Sequence, residues 1–329
     1  MSDYSSAQNK IGALPCFYAN LKHLLEMHEI VLTEADIYFL CGYFSPESID
    51  NESKYRLKYP SYAVQLHNFC MRTYIDCEMN FDENSNYISS EINQDLFQDR
   101  KVLLAVDAKV LDHLIIQSYA RNCHFLISTG LNPKSHICVS DFFVIDREGK
   151  VNTYVGEYQY NCIKDALYGY IYMKNIDKNL VDKAVNNMVD YVVQELERLL
   201  YKTEDGSLSG LGLLESLLNR IGKESYEDSF IEKESFYNLI MILISRHIIF
   251  FDYICDFMNQ YQVKDGENMT QKFMKIKNSW DKITNMMAIQ TFAYNYKRNK
   301  AISYEAGELI KQQQNLLLQL ITNLRGDRI

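Results

Sequence analysis

The four prolines of this chain, at positions 15, 46, 60 and 133, all precede residue 134. Proline removes a backbone donor and clashes with the preceding helical turn, so a proline-free remainder is free to build long helices. The apolar pattern fits that reading. Apolar residues at 181, 185, 188, 189, 192, 193, 196, 199 and 200 recur near the helical period, making Val181–Leu200 an amphipathic helix. Further helical stretches are read near 208–221, 234–262, 268–298 and 301–324. Residues 166–329 are therefore expected to form an all-helical domain.

Residues 1–165 read differently. Pro15–His28 is helical in pattern, with Leu21, Leu24, Leu25 and His28 on one face. Thr33 followed by Asp36 suggests a cap for a short helix over Ala35–Cys41. The stretch 45–84 is less regular. Lys101–Val106 (KVLLAV) is a buried-strand pattern, and His124–Ser128 is a second apolar run. His136–Asp146 and Val151–Tyr160 flank Arg147–Lys150, a hairpin signal centred on Glu148-Gly149. A helix followed by an antiparallel sheet is α+β order, so the fold class is α+β, a catalytic domain over 1–165 followed by the helical one.

Several function classes are disfavoured at once. No run approaches the roughly 18 apolar residues of a membrane span, and Leu239–Phe250 is interrupted by Ser245, Arg246 and His247. MSDYSSAQNK has neither a basic nor an apolar leader region, which makes the cytoplasm the expected location. The net charge is −9, with 13 basic against 21 acidic residues through position 160. Such a chain is poorly suited to nucleic acid. Its one compact basic run is Lys297, Arg298 and Lys300. The eight cysteines form no CxxC pair and no Cys/His metal spacing, and no HExxH occurs, so no metal or cofactor is expected.

Cys16 stands apart from the other cysteines because it follows Pro15. Proline favours the first helical position, which puts Cys16 in the first turn. There the orphan N–H groups and the helix dipole stabilise a thiolate and can bind a developing oxyanion. A cysteine nucleophile needs a base. His23 lies seven residues along the same helix, about 10 Å away at ~1.5 Å per residue. His136 is better placed, opening the strand HICVSDFFV beside the loop GLNPKS. With the hairpin turning at Glu148-Gly149, His136 would face Asn161, with Gln159 and Glu157 on the same side. Asn152 and Asp141 would point to the opposite face, a parity that one bulge would overturn.

Three segments in order, PCFYANLKHLLEMHEIVLTEADIYFLCGYF (15–44), RKVLLAVDAKVLDH (100–113) and SHICVSDFFVIDREGKVNTYVGE (135–157), resemble the butirosin biosynthesis protein H family. That family has a cysteine at its first helix, a strand followed by V-D-x-x-x-L, and a later histidine-led strand. SRHIIFFDYICDFM and the region around Trp280 are similar to the family's helical C-terminal part. The resemblance implies a papain-like fold related to bacteriocin-processing cysteine peptidases. It also implies acyltransferase (amide synthetase) work in antibiotic biosynthesis. A thioester on the phosphopantetheine of an acyl or peptidyl carrier protein would pass through the enzyme cysteine to a small-molecule amine, diamines included. Cys16 and His136 match the family's nucleophile and base, and the family's third residue, the Asp of a D-P pair, falls at Glu157. Neither that Asp nor the Pro is present. The third position therefore stays open between Glu157 and Gln159, Asn161, Asn152 or Asp141. A cysteine peptidase of the same fold and a non-catalytic binding module are the competing readings.

Overall fold

The first helix, α1 (Pro15–Glu26), forms because Phe17, Leu21, Leu24 and Leu25 recur on one stripe, and all four are fully buried. Each such side chain contributes about 1.5–3 kcal/mol of burial. α1 ends in a left-handed turn at Glu29, where the Ile30 N–H donates to the Leu25 carbonyl at 3.0 Å. Next comes α2 (Glu34–Cys41), capped as its sequence suggests. Thr33 Oγ1 accepts from the Asp36 N–H at 3.1 Å, and Asp36 Oδ2 accepts from the Thr33 N–H at 2.9 Å.

The computed structural model describes residues 15–42, 47–49, 56–58, 62–81, 88, 94–98, 100–114, 123–200, 210–223, 230–292 and 295–326. Its architecture is mixed α+β. A two-stranded antiparallel ladder joins β1 (Glu47–Ile49) to β2 (Arg56–Lys58). Beyond α3 (Tyr62–Thr73), the remaining strands are β3 (Asp76–Phe81), β4 (Val102–Asp107), β5 (Cys123–Leu131), β6 (His136–Ile145), β7 (Val151–Gln159) and β8 (Leu167–Asn175). They form one six-stranded sheet in the order β3-β8-β4-β5-β6-β7, antiparallel throughout. β4, the KVLLAV segment, is buried at every position because it lies between β8 and β5. One face of the sheet carries Val102, Leu104, Val106, Leu126, Ile137 and Val139 in a common apolar cluster. On the other face Phe125 packs edge-on against Phe17 of α1, with ring centroids 4.9 Å apart.

The chain divides into two compact units at 187/188 rather than 165/166. The first comprises 1–41 and 61–187, the second 42–60 and 188–329. The difference has a clear cause. After the short α4 (Tyr160–Asp165), β8 returns to the middle of the sheet and pairs with both β3 and β4. The stretch read as one helix over 181–200 is two, α5 (Lys178–Asn186) and α6 (Met188–Leu200), and Asp177 caps α5 through the Asn179 N–H at 2.9 Å.

The second unit continues with α7 (Gly210–Lys223), α8 (Phe230–Gln260), α9 (Gly266–Phe292) and α10 (Tyr296–Gly326). The stretch expected as one helix over 268–298 breaks before Asn295. That residue caps α10 by accepting from the N–H groups of Lys297 at 3.0 Å and Arg298 at 3.3 Å. No helix among the described residues is long and apolar enough to cross a membrane.

Candidate active site

Cys16 sits in the first turn of α1, half-buried. The imidazole it meets is that of His124, at the second position of β5. Burial alone would lower the His124 pKa, but the charge of Cys16 and hydrogen bonds to Asp141 and Cys16 outweigh it and raise the pKa to about 10. His124 Nε2 lies 2.6 Å from Asp141 Oδ2, which leaves Nδ1 for the sulfur.

Asp141 is wholly buried and its carboxylate accepts four hydrogen bonds. Oδ2 takes His124 Nε2 and, at 2.9 Å, His113 Nε2, while Oδ1 takes Asn20 Nδ2 at 3.2 Å and the Phe143 N–H at 3.0 Å. Burial would raise its pKa, yet the two imidazoles and the Phe143 N–H hold it well below the usual carboxylate range. The backbone makes this possible through a bulge in the β6/β7 ladder between Asp141 and Val144. The bulge takes Phe142 and Phe143 out of register, and their N–H groups turn to Asn20 Oδ1 (3.0 Å) and Asp141 Oδ1 instead.

Asn20, one helical turn after Cys16 and fully buried, ties the parts together. Its Nδ2 also reaches the carbonyls of Cys16 and Phe125, each at 2.9 Å. His113 arrives from the turn after β4, where a 3-10 segment (Ala108–Val110) is capped by Asp107. Tyr154 of β7 stacks on the His113 ring at 3.9 Å, nearly parallel.

His136 and Glu157 are brought together elsewhere. His136 Nδ1 lies 3.2 Å from Glu157 Oε2, which Asn132 also binds at 2.6 Å. Their side chains are 34% and 53% exposed, against 11% for His124 and 0% for Asp141. Along β6, His136 stands five residues from Asp141, about 16 Å at ~3.3 Å per residue and on the opposite face. The hairpin register is His136↔Gln159 rather than His136↔Asn161, because the turn runs from Asp146 to Lys150 and the bulge adds a residue. Asn161 belongs to α4, and Asn152 hydrogen-bonds Asp146 at 2.7 Å.

Burial pushes Cys123 and Cys41 well up, and Cys255 up to about 11. Cys70 and Cys77 face each other, sulfurs 2.6 Å apart.

His113, His124 and Asp141 form the one His/Cys/Asp/Glu cluster among the described residues whose ligand atoms converge tightly enough for a metal. Ligand atoms around a tetrahedral zinc, with bonds of about 2.0–2.1 Å, lie roughly 3.3 Å apart. The 2.6 and 2.9 Å separations here are those of shared protons.

Of these residues, only Cys16 and Asp141 were among the sequence candidates. His124 is visible in the sequence as the polar interruption of the apolar run CHFLIS, His113 closes the segment RKVLLAVDAKVLDH, and Asn20 is the polar residue four places after Cys16. No protein-family model matches the chain, and no curated protein matches it.

Proposed function

We propose that this protein is a cysteine-dependent acyltransferase in which Cys16 is the nucleophile, His124 the proton carrier and Asp141 the group that orients His124. The observation that carries the reading is His124, hydrogen-bonded to the wholly buried Asp141 and interacting with the half-buried Cys16 in the first turn of α1. A thiol whose proton passes to an adjacent imidazole is an activated nucleophile, and a buried carboxylate on the far nitrogen fixes tautomer and ring.

The reaction balances as follows. The Cys16 sulfur attacks a thioester carbonyl, and the backbone N–H groups in the first turn of α1 face the oxyanion that develops. The carbon–sulfur bond of the donor breaks, His124 gives its proton to the departing thiol, and the acyl group stays on Cys16. An amine then attacks this acyl-enzyme, His124 removes the proton from the amine nitrogen, and the Cys16–acyl bond breaks to release the amide. One thioester replaces another in the first step, so the second step supplies the driving force.

The ordered resemblance to the butirosin biosynthesis protein H family supports a papain-like first unit, a carrier-protein donor and an amine acceptor. For docking of an acidic carrier, the basic run is the candidate surface. Lys297 and Lys300 are exposed in the first two turns of α10.

Intact-mass analysis after incubation with an acyl thioester tests the reading. An adduct on Cys16, cleared faster by amine than by water, is expected. Clearance mainly by water would indicate a peptidase or thioesterase. No adduct, or one that persists in Cys16→Ala, would remove the enzymatic reading.

A further inference from the structure

We propose that His113 is a positioning residue, held as an imidazolium between Tyr158 and Asp141, whose charge divides the pull of Asp141 between two histidines. The inference rests on the Cys16–His124–Asp141 reading and deepens it.

The argument is donor accounting. The Tyr158 hydroxyl has one proton, and it donates that proton to the exposed Asp112 carboxylate at 2.7 Å. Tyr158 oxygen therefore meets His113 Nδ1, 2.6 Å away, as an acceptor, so Nδ1 must carry a proton. At the other edge of the ring, His113 Nε2 lies 2.9 Å from Asp141 Oδ2, and an ionised carboxylate only accepts. Nε2 must carry a proton too. A ring that donates from both nitrogens is a cation. Its side chain is 5% exposed, and the Tyr154 face stacked on it at 3.9 Å suits a positive charge.

The groups that face His113 are Asp112 from its own turn, His124 from β5, Asp141 from β6, and Tyr154 and Tyr158 from β7. Two imidazoles thus share one carboxylate oxygen. The arrangement pins the carboxylate so that it cannot rotate away from His124. It also weakens the hold of Asp141 on the His124 proton, because a second cation already balances part of its charge. A base that must give its proton to a leaving thiol gains from that weakening.

The sign of the expected change follows. Removing the His113 charge leaves Asp141 acting undivided on His124, so His124 keeps its proton to higher pH. His113→Gln retains a donor toward Asp141 without the cation, and Tyr158→Phe removes the acceptor that holds the Nδ1 proton. In both variants the alkaline limb of the Cys16 acylation rate should move to higher pH. The maximal rate should fall on the order of 10–100-fold through looser positioning, with the KM for the thioester unchanged. Nitrogen-15 NMR of the full chain, labelled at histidine, supplies the independent readout. Both ring nitrogens of His113 should carry protons in the wild type, as the hydrogen-bond geometry requires.

Unshifted alkaline limbs in both variants, whether or not melting temperatures fall, would reduce His113 to a structural role and overturn the inference. So would an unprotonated His113 ring nitrogen. A wild-type protein that forms no Cys16 adduct would instead count against the acyltransfer reading itself, and the two failures are thereby separable.

Discussion

His124 Nε2 lies 2.6 Å from Asp141 Oδ2, a hydrogen bond between adjacent strands that buries the carboxylate completely. From this bond follows the polarity of the site. The nitrogen facing Asp141 is committed to the carboxylate, and the other is left for Cys16.

His124→Gln and Asp141→Asn should therefore both slow acylation, by different routes. Removing the proton carrier should slow acylation of Cys16 by about 10²–10⁴-fold. Asp141→Asn keeps the shape but can present a donor where His124 needs an acceptor, so the ring loses its tautomer, with a loss on the order of 10⁴-fold. Rapid-quench acylation with a simple acyl thioester measures both.

Asn20→Ala should destabilise the first unit. The change strips hydrogen-bonding partners from Asp141 Oδ1, the Phe142 N–H and the Phe125 carbonyl, all at a buried junction. Each unsatisfied buried group costs about 1–3 kcal/mol, so a clear fall in the urea midpoint is expected. An unchanged midpoint would mean that water replaces the amide without loss.

The second unit should lose stability as the pH falls from about 6.5 toward 4. His247 is buried in its core, where Gln313 Nε2 lies 2.6 Å from His247 Nε2 and Gln313 Oε1 accepts from Trp280 Nε1 at 3.1 Å. Burial lowers the His247 pKa from 6.5 to about 4, the Gln313 bond opposing this only in part. A depressed folded-state pKa means that the unfolded chain takes the proton first. The contribution is complete above pH 6.5 and lost as the pH drops through the folded value. The melting temperature of wild type should fall relative to that of His247→Leu across this range, since the variant has nothing to titrate at that position.

Lys297→Glu with Lys300→Glu should weaken binding of an acidic carrier protein at low salt and do little at high salt. Both side chains are exposed, and both follow the Asn295 cap. An affinity indifferent to the double reversal would move the docking surface elsewhere.

Local pattern was enough to read α1, α2, β4 and the β6/β7 hairpin, and to place Cys16 in the first turn of α1. Pro15 marks the start of α1, Thr33 and Asp36 form the cap that their spacing suggests, and β4 is buried along its length as KVLLAV implies. What local pattern does not carry is pairing between distant strands. β8 reads as the start of the helical half until its insertion between β3 and β4 is known. The histidine beside Cys16 was hidden for the same reason. His136 sits at a strand end beside a loop, a position that looks functional, whereas His124 looks like a core residue within an apolar run. Asp141 reaches the site only because a bulge redirects two backbone N–H groups, and bulges leave no clear mark in a single sequence.

The most direct test of the account is the rate of Cys16 alkylation by iodoacetamide at one fixed pH, followed by peptide mass in wild type, His124→Gln and His136→Gln. The account predicts rapid alkylation of Cys16 in wild type and in His136→Gln, and slow alkylation in His124→Gln. The reverse pattern, with His136→Gln losing the reactivity and His124→Gln keeping it, would contradict the account.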